Sequence, residues 1–544
     1  MCHVPRHCIS GWYIACWRRV QDMHKPSRIL RSSFWLWLQD GTDTLLAFAF
    51  AWIALRRLGP AGFGLVSLTQ SLLNLAGLGT LSLELALVRL VPEFLSRQQW
   101  RTANGAVYLV AGAKLVLAGC MAGVISMAAP WLADFYRNPE LASCLRAGCL
   151  SLVAAALAEV GAAGCLAVFH AEVRTAMTTT RRLCELTGLI VISSLGKGAV
   201  AVILVLGLAD LVAALGYAVK LTQYLRQALV DSQEPVLIRP LVQRILRYCI
   251  PIVGSRVAEV AGREAGKLIL GRLASPVSLG HYSVARLMAD RISSFMGQAP
   301  LATVPALASG ASEQPASRRN QLIDRLLRYQ WLGGSLLALV IWAAAPVLLV
   351  IVGGQEYIPA VPALRILMFA ALCCSATLFL HAAFMAQERT LGVFLTNLVN
   401  LMAAIVFYGL LASRWQIGGV AIADVMGQLA ALGLGLWLSS RWLQFEAGRL
   451  SRYLLSSGCL VVLVVLPVGV LNYQGPVLGL WLIVGLILVG SHALLQDIPD
   501  AGSWRALGQV VLPAALNRIR DKVIYALRRY QEYLQHRFRR LETE

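Results

Sequence analysis

At 544 residues, with a mean hydropathy of +0.66 and only 14% charged residues, this chain is too apolar for a soluble globule, whose average is about 25% charged. Its net charge of +20 would suit a nucleic-acid binder, but the basic residues lie between hydrophobic segments, which excludes nucleic acid and points to membrane lipids as partners. Apolar runs of the length a spanning helix needs, about 20 residues, recur along nearly the whole sequence. Lipid offers backbone groups no partner, so these runs are predicted to be helices, and they lack the period-two alternation of a barrel.

In chain order, residues 1–31 form a basic leader. Its Cys2, His3, His7, Cys8 and Cys16 match no familiar zinc spacing, so no metal site and no cofactor are expected. Fourteen spans follow, at about 34–55, 63–88, 104–128, 147–169, 186–206, 209–227, 247–270, 280–308, 329–352, 361–385, 391–412, 417–439, 453–472 and 475–494. The fold expected is an all-α polytopic membrane protein. A first six-helix half (32–227), a linker (228–246) and a second six-helix half (247–441) are followed by two additional helices (453–494) and a basic amphipathic tail (503–544). The twelve cysteines fall mostly inside apolar runs, where they pack as small hydrophobes. No disulfide framework is expected, and a Cys144–Cys149 pair near a short outward loop is the minor alternative.

Cytoplasmic loops are enriched in Lys and Arg. With the N-terminus inside, the inward segments and the helix ends bordering them hold 34 of the 48 basic residues. The outward loops hold six: Arg56, Arg57, Arg137, Arg146, Arg272 and Arg414. Both termini and the linker are therefore placed in the cytoplasm. The chain also repeats itself. Ala129-Pro130 recurs as Ala345-Pro346, Ala171 to Thr175 resembles Ala386 to Thr390, Ala209-Asp210 recurs as Ala423-Asp424, and Arg57-Leu58 as Arg272-Leu273, at offsets of 214 to 216. An even number of spans separates equivalent points, so the halves share one orientation, a transporter plan with the substrate site between halves.

Charges inside spans are functional hypotheses by default. Span seven carries Arg256, Glu259, Arg263, Glu264 and Lys267. Five charges cost very roughly 15 kcal/mol at mid-membrane, against about 4 returned by its aliphatic residues, so this side of the helix cannot face lipid. Arg256, Arg263 and Lys267 share one helical face, and span eight adds Arg286, Asp290 and Arg291. With Lys197, these cations form a candidate cavity for an anionic substrate, and arginine's planar fork suits phosphate oxygens. The alternative is that Glu259, Glu264 and Asp290 pair with the cations and only tie helices together. Asp40, Asp43, Glu264 and Asp290 are candidates for binding a coupling ion. Lys114 stands isolated, Glu84 and Glu159 have no identified partner, and Asp210 and Asp424 read as caps at helix starts. In the tail, Ile519, Val523, Leu527 and Tyr530 recur at helical spacing among arginines, as in a helix lying on an anionic leaflet.

The segment Arg57-Leu58-Gly59-Pro60-Ala61-Gly62-Phe63-Gly64 resembles the Arg-x-Leu-Gly-Pro-x-x-Phe/Tyr-Gly loop of Wzx-type polysaccharide flippases. Gly280-His281-Tyr282-Ser283-Val284-Ala285 is similar to that family's Gly-x-Tyr-Ser-x-Ala. The superfamily also holds the MATE drug exporters and the lipid II flippases. The resemblance covers about residues 32–441 and implies a transporter, not an enzyme, in the bacterial inner membrane. It would move an undecaprenyl-diphosphate-linked oligosaccharide outward by alternating access, beside a polysaccharide polymerase or export machinery. The two extra spans and the long tail depart from the general family pattern. The rival readings are a MATE-like exporter of cationic drugs, which calls for an acidic, aromatic site, and a membrane enzyme, which needs sizeable outer loops.

Overall fold

The computed structural model describes residues 26–442, apart from 98, 169, 197, 229–237, 310–315 and 388. Most of the leader, the pair of helices expected at 453–494 and the basic tail lie outside the described residues. All regular structure within them is helical. The order is α1 (Pro26–Gly77), a 3-10 turn (Leu78–Thr80), α2 (Glu84–Ser96), α3 (Trp100–Phe135), α4 (Glu140–Ala167), α5 (Ala171–Ser194) and α6 (Ala199–Ala228). Then come α7 (Ile238–Leu273), α8 (Pro276–Ser309), α9 (Ala316–Gly353), a second 3-10 turn (Gln355–Ala360), α10 (Val361–Ala386) and α11 (Thr390–Trp442).

At 52 and 53 residues, α1 and α11 are too long for one crossing, and each is divided by a single non-helical residue. In α1 that residue is Gly59 (φ 65, ψ 179), a conformation essentially confined to glycine. Pro60 follows, pre-set to start the second limb. In α11 it is Gln416 (φ 42, ψ −116). There the limbs run antiparallel, because Gly419 abuts the Leu411 carbonyl, Gly427 lies on Asn400 and Gly435 faces Thr396. The second limb of α1 continues into α2 through the first 3-10 turn and two left-handed residues, Leu81 and Ser82. Counted this way, the described residues hold twelve segments in the order read from the sequence.

One segment is misplaced in that reading. The span expected at 186–206 is divided between α5, which ends at Ser194, and α6, which begins at Ala199, and the fifth segment is α5. The apolar run from Leu189 to Leu206 conceals the break at Gly196 (φ 65) and Gly198. The Thr- and Arg-rich stretch before it imitates a loop, yet it is the first half of a helix. Arg181 and Arg182 therefore belong to a helix rather than to the inward loop, and Lys197, expected mid-span, lies outside the described residues.

Helix α7 joins the two sets of six. Its first turns place Leu241, Ile245 and Cys249 in one buried cluster with Leu87 and Phe94 of α2 and Val107 of α3. Arg244 Nη2 donates to both carboxylate oxygens of Glu93 at 2.7 Å. Its later turns pack on α11, where Gly262 lies beside Asn400 and Asn397 Nδ2 donates to Ser255 Oγ at 3.3 Å. At the end that the charge pattern assigns to the outside, the two resemblance motifs meet. A Cβ on Gly280 would overlap the Pro60 carbonyl, and one on Gly64 would overlap the Pro276 carbonyl. Around this contact Trp52 Nε1 and Arg56 Nη2 donate to the Ile351 carbonyl at 2.9 and 3.0 Å, while His281 Nε2 sits 2.9 Å from the Glu356 carbonyl.

Candidate functional site

Seven stretches of the described helices are long and apolar enough to cross a membrane. Helices α5, α7 and α8 are not among them, because they carry the charges, and they owe their place to partners rather than to lipid. On α7, Arg256 Nη1 reaches Glu259 Oε2 at 3.1 Å and Arg263 Nη2 reaches Glu259 Oε1 at 3.0 Å. These two arginines share one carboxylate and remain 48% and 53% exposed. One turn on, Lys267 pairs with Glu264. Glu264 is buried and also accepts Ser71 Oγ at 2.7 Å and Asn74 Nδ2 at 3.0 Å from the second limb of α1. The pairing alternative thus describes Lys267 and Glu264, which tie α7 to α1. The Arg256–Arg263 face keeps one cation in excess and an open side.

Helix α8 divides in the same way. Arg286 is 13% exposed, with Nε on Asp290 Oδ1 at 2.9 Å and Nη1 on Asp424 Oδ2 at 3.0 Å. Tyr282 donates to the same Asp424 oxygen at 2.5 Å, and Tyr408 donates to the other. Arg286, expected in the cavity, is therefore committed to the packing of α8 on α11, and the tyrosine of the second motif serves that packing. Arg291, 40% exposed, lies 3.6 Å from Asp43 of α1. Each sits about 15 residues, hence about 22 Å along a helix, from the Gly59 turn and the start of α8 respectively, so they meet at one depth. Asp290 is likewise partly open, and Asp40 is exposed.

Asp43 belongs to a network absent from the sequence reading. Arg182 Nε and Nη2 reach its two oxygens at 2.6 and 3.3 Å, and Arg182 Nη1 reaches Glu185 at 2.7 Å. Arg181 Nε lies 3.0 Å from Glu185 and 2.8 Å from Asp210, and Ser151 Oγ donates to Asp210 at 2.6 Å. The three-and-four spacing from Arg181 and Arg182 to Glu185 is the signature of paired charges on one helix face, and it is the sequence signal that marks this cluster. Asp210 and Asp424 are not caps. Both are buried well inside their helices and bound to arginine. Nor is Lys114 isolated: fully buried on α3, it joins Glu84 of α2 at 2.6 Å to Glu159 of α4 at 2.5 Å. Cys144 and Cys149 are unpaired.

Two tandem sets of six helices, with charged side chains between them, define an all-helical fold with several stretches apolar enough to cross a membrane. Several solved structures share this fold, three of which follow. The lipid II flippase MurJ in an inward closed conformation is 10% identical, with a TM-score of 0.64 over 86% of this chain and 100% of that one. An inward-facing multidrug resistance MATE family transporter of the MOP superfamily is 15% identical, with 0.59 over 75% and 96%. The Vibrio cholerae MATE transporter VcmN in its bent form is 16% identical, with 0.52 over 78% and 98%. No curated protein sequence matches. The chain belongs to the polysaccharide biosynthesis protein family, whose profile matches residues 29–311.

Proposed function

We propose that this protein is a flippase that carries an undecaprenyl-diphosphate-linked oligosaccharide across the bacterial inner membrane by alternating access, with both termini cytoplasmic. The observation that carries the reading is the half-exposed Arg256–Arg263 pair on a helix too charged for lipid. It stands beside membership in a polysaccharide biosynthesis family. Arg256, Arg263 and Arg291 are the cations with open faces, and they are assigned to the diphosphate; Lys267 and Arg286 build the wall behind them. Asp43 shares Arg291 with the substrate and is the foremost candidate for coupling. The halves 32–227 and 247–441 rock about the seam at Gly64 and Gly280, while the prenyl chain stays in lipid. A MATE-like exporter of cations shares the fold, but it would draw its substrate to a face on which cations are in excess.

The test is export in cells lacking the native gene. The triple variant Arg256→Ala, Arg263→Ala, Arg291→Ala should fold at normal abundance, export no polymer and accumulate lipid-linked oligosaccharide at the cytoplasmic face. Arg263→Lys should keep part of the activity, since the bidentate fork is lost but the charge remains. Full export by the stable triple variant would remove this site from the mechanism.

A further inference from the structure

The two buried aspartates at equivalent places in the repeat, Asp210 and Asp424, each start a chain of charge-assisted contacts. In the first half the chain runs from Asp210 through Arg181, Glu185 and Arg182 to Asp43, and from there to Arg291 of α8. In the second it runs from Asp424 through Arg286 to Asp290 of α8. Both chains therefore end on adjacent residues of one helix, at the face between the halves. Both begin at a carboxylate further held by hydroxyls: Ser151 on Asp210, and Tyr282 with Tyr408 on Asp424.

We infer that Asp210 and Asp424 are positioning residues, each holding the arginine relay that sets where Arg291 and Asp290 stand in the transport cavity. A brace between two helices needs one carboxylate and one cation. These relays continue past that point to partly exposed groups, and the first crosses from α1 to α8. Each also carries one more carboxylate than arginine within its own half. For the first relay, the balancing charge is Arg291 from the other half, which follows directly on Asp290, the end of the second relay, along α8. Members of such polar chains polarise and orient one another, so removing the first shifts the last. The inference rests on the transport reading for what the relays serve.

The experiment uses the full-length protein with its native cysteines replaced and spin labels on cysteines introduced at Leu45 of α1 and Phe295 of α8, both exposed. In each half the anchor pair is neutralised together, Asp210→Asn with Arg181→Gln and Asp424→Asn with Arg286→Gln, so that no lone buried charge remains. The expected result is a native melting temperature, a second α1–α8 distance population without substrate, and about a tenfold higher substrate concentration for half-maximal transport at little changed maximal rate. That factor is the scale of one hydrogen bond to a charged group. Parental distances and parental transport in both double variants would overturn the inference. Should a double variant fail to fold, Ser151→Ala and Tyr282→Phe loosen the same anchors without touching charge. Unchanged distances in both would overturn it as well. Distances that respond in a protein exporting no glycan would sink the transport reading and leave the relays standing.

Discussion

Lys114 and Arg263 are both cations on long helices, both within 3.0 Å of a carboxylate, and they differ in enclosure and in where that partner lies. Lys114 is completely enclosed and joins two helices of the first half to its own, while Arg263 is paired along its own helix and more than half open. An enclosed ion pair holds a fold, because losing one member strands the other away from water. An open pair can exchange its partner for a ligand at little cost. Exposure, rather than the presence of a partner, separates the braces of this protein from its candidate binding face.

That contrast can be broken first at Lys114. Lys114→Met keeps the volume but leaves the largely buried Glu84 without its cation, while Glu159, 57% exposed, keeps its water. It should cost about 3 kcal/mol, the lower end for breaking a buried pair because only one carboxylate is left away from water, read as a fall in melting temperature and in membrane abundance. A loss too small to measure would make the triad part of the open, exchangeable class.

Next comes the seam between the halves, where shape replaces charge. Gly280→Ala places a methyl against the Pro60 carbonyl and should destabilise by about 1–3 kcal/mol, as overpacking does. It should also raise the labelling of a cysteine at Ala61 by an impermeant reagent added from outside. Native stability and unchanged labelling would show that the motif glycines do not seal this end.

At the open face, Glu259→Gln removes the carboxylate shared by Arg256 and Arg263. The expected change in stability is less than about 1 kcal/mol, as for exposed ion pairs, with affinity for an anionic substrate raised. A fall in melting temperature as large as that for Lys114→Met would place this pair among the braces.

The smallest effect is expected at Arg244 and Glu93. The hydrogen bonds from Arg244 hold the Glu93 carboxyl below its ordinary range. Because its folded value is depressed, the pair contributes above the ordinary carboxylate range and is lost as the pH falls through the lowered value. The difference in melting temperature between the native protein and Arg244→Gln should be slight at neutral pH and vanish in acid. A difference that persists in acid would assign the effect to Arg244 packing on the Phe94 ring.

Composition and apolar run length by themselves determined that this is a helical membrane protein, and short recurring words set the order of its two sixfold sets. The charge of α7 was equally plain, since the cost of placing it in lipid is a sum along one helix. What that sum could not supply were the partners. Arg182 meets Asp43 across 139 residues and Ser71 meets Glu264 across 193, and such contacts leave no periodicity behind. For the same reason the sequence of α5 reads as part loop. Its arginines are expensive in lipid and cheap beside Asp43, Glu185 and Asp210, so only the packing of α1 and α6 against it makes that stretch a membrane helix. The two motifs were legible as words, but their contact at Gly64 and Gly280 was not, because it depends on the turn at Gly59 bringing Pro60 to the start of α8. Tertiary structure alone decided which charges are enclosed and which remain open, since burial belongs to the neighbours of a side chain and not to the side chain itself.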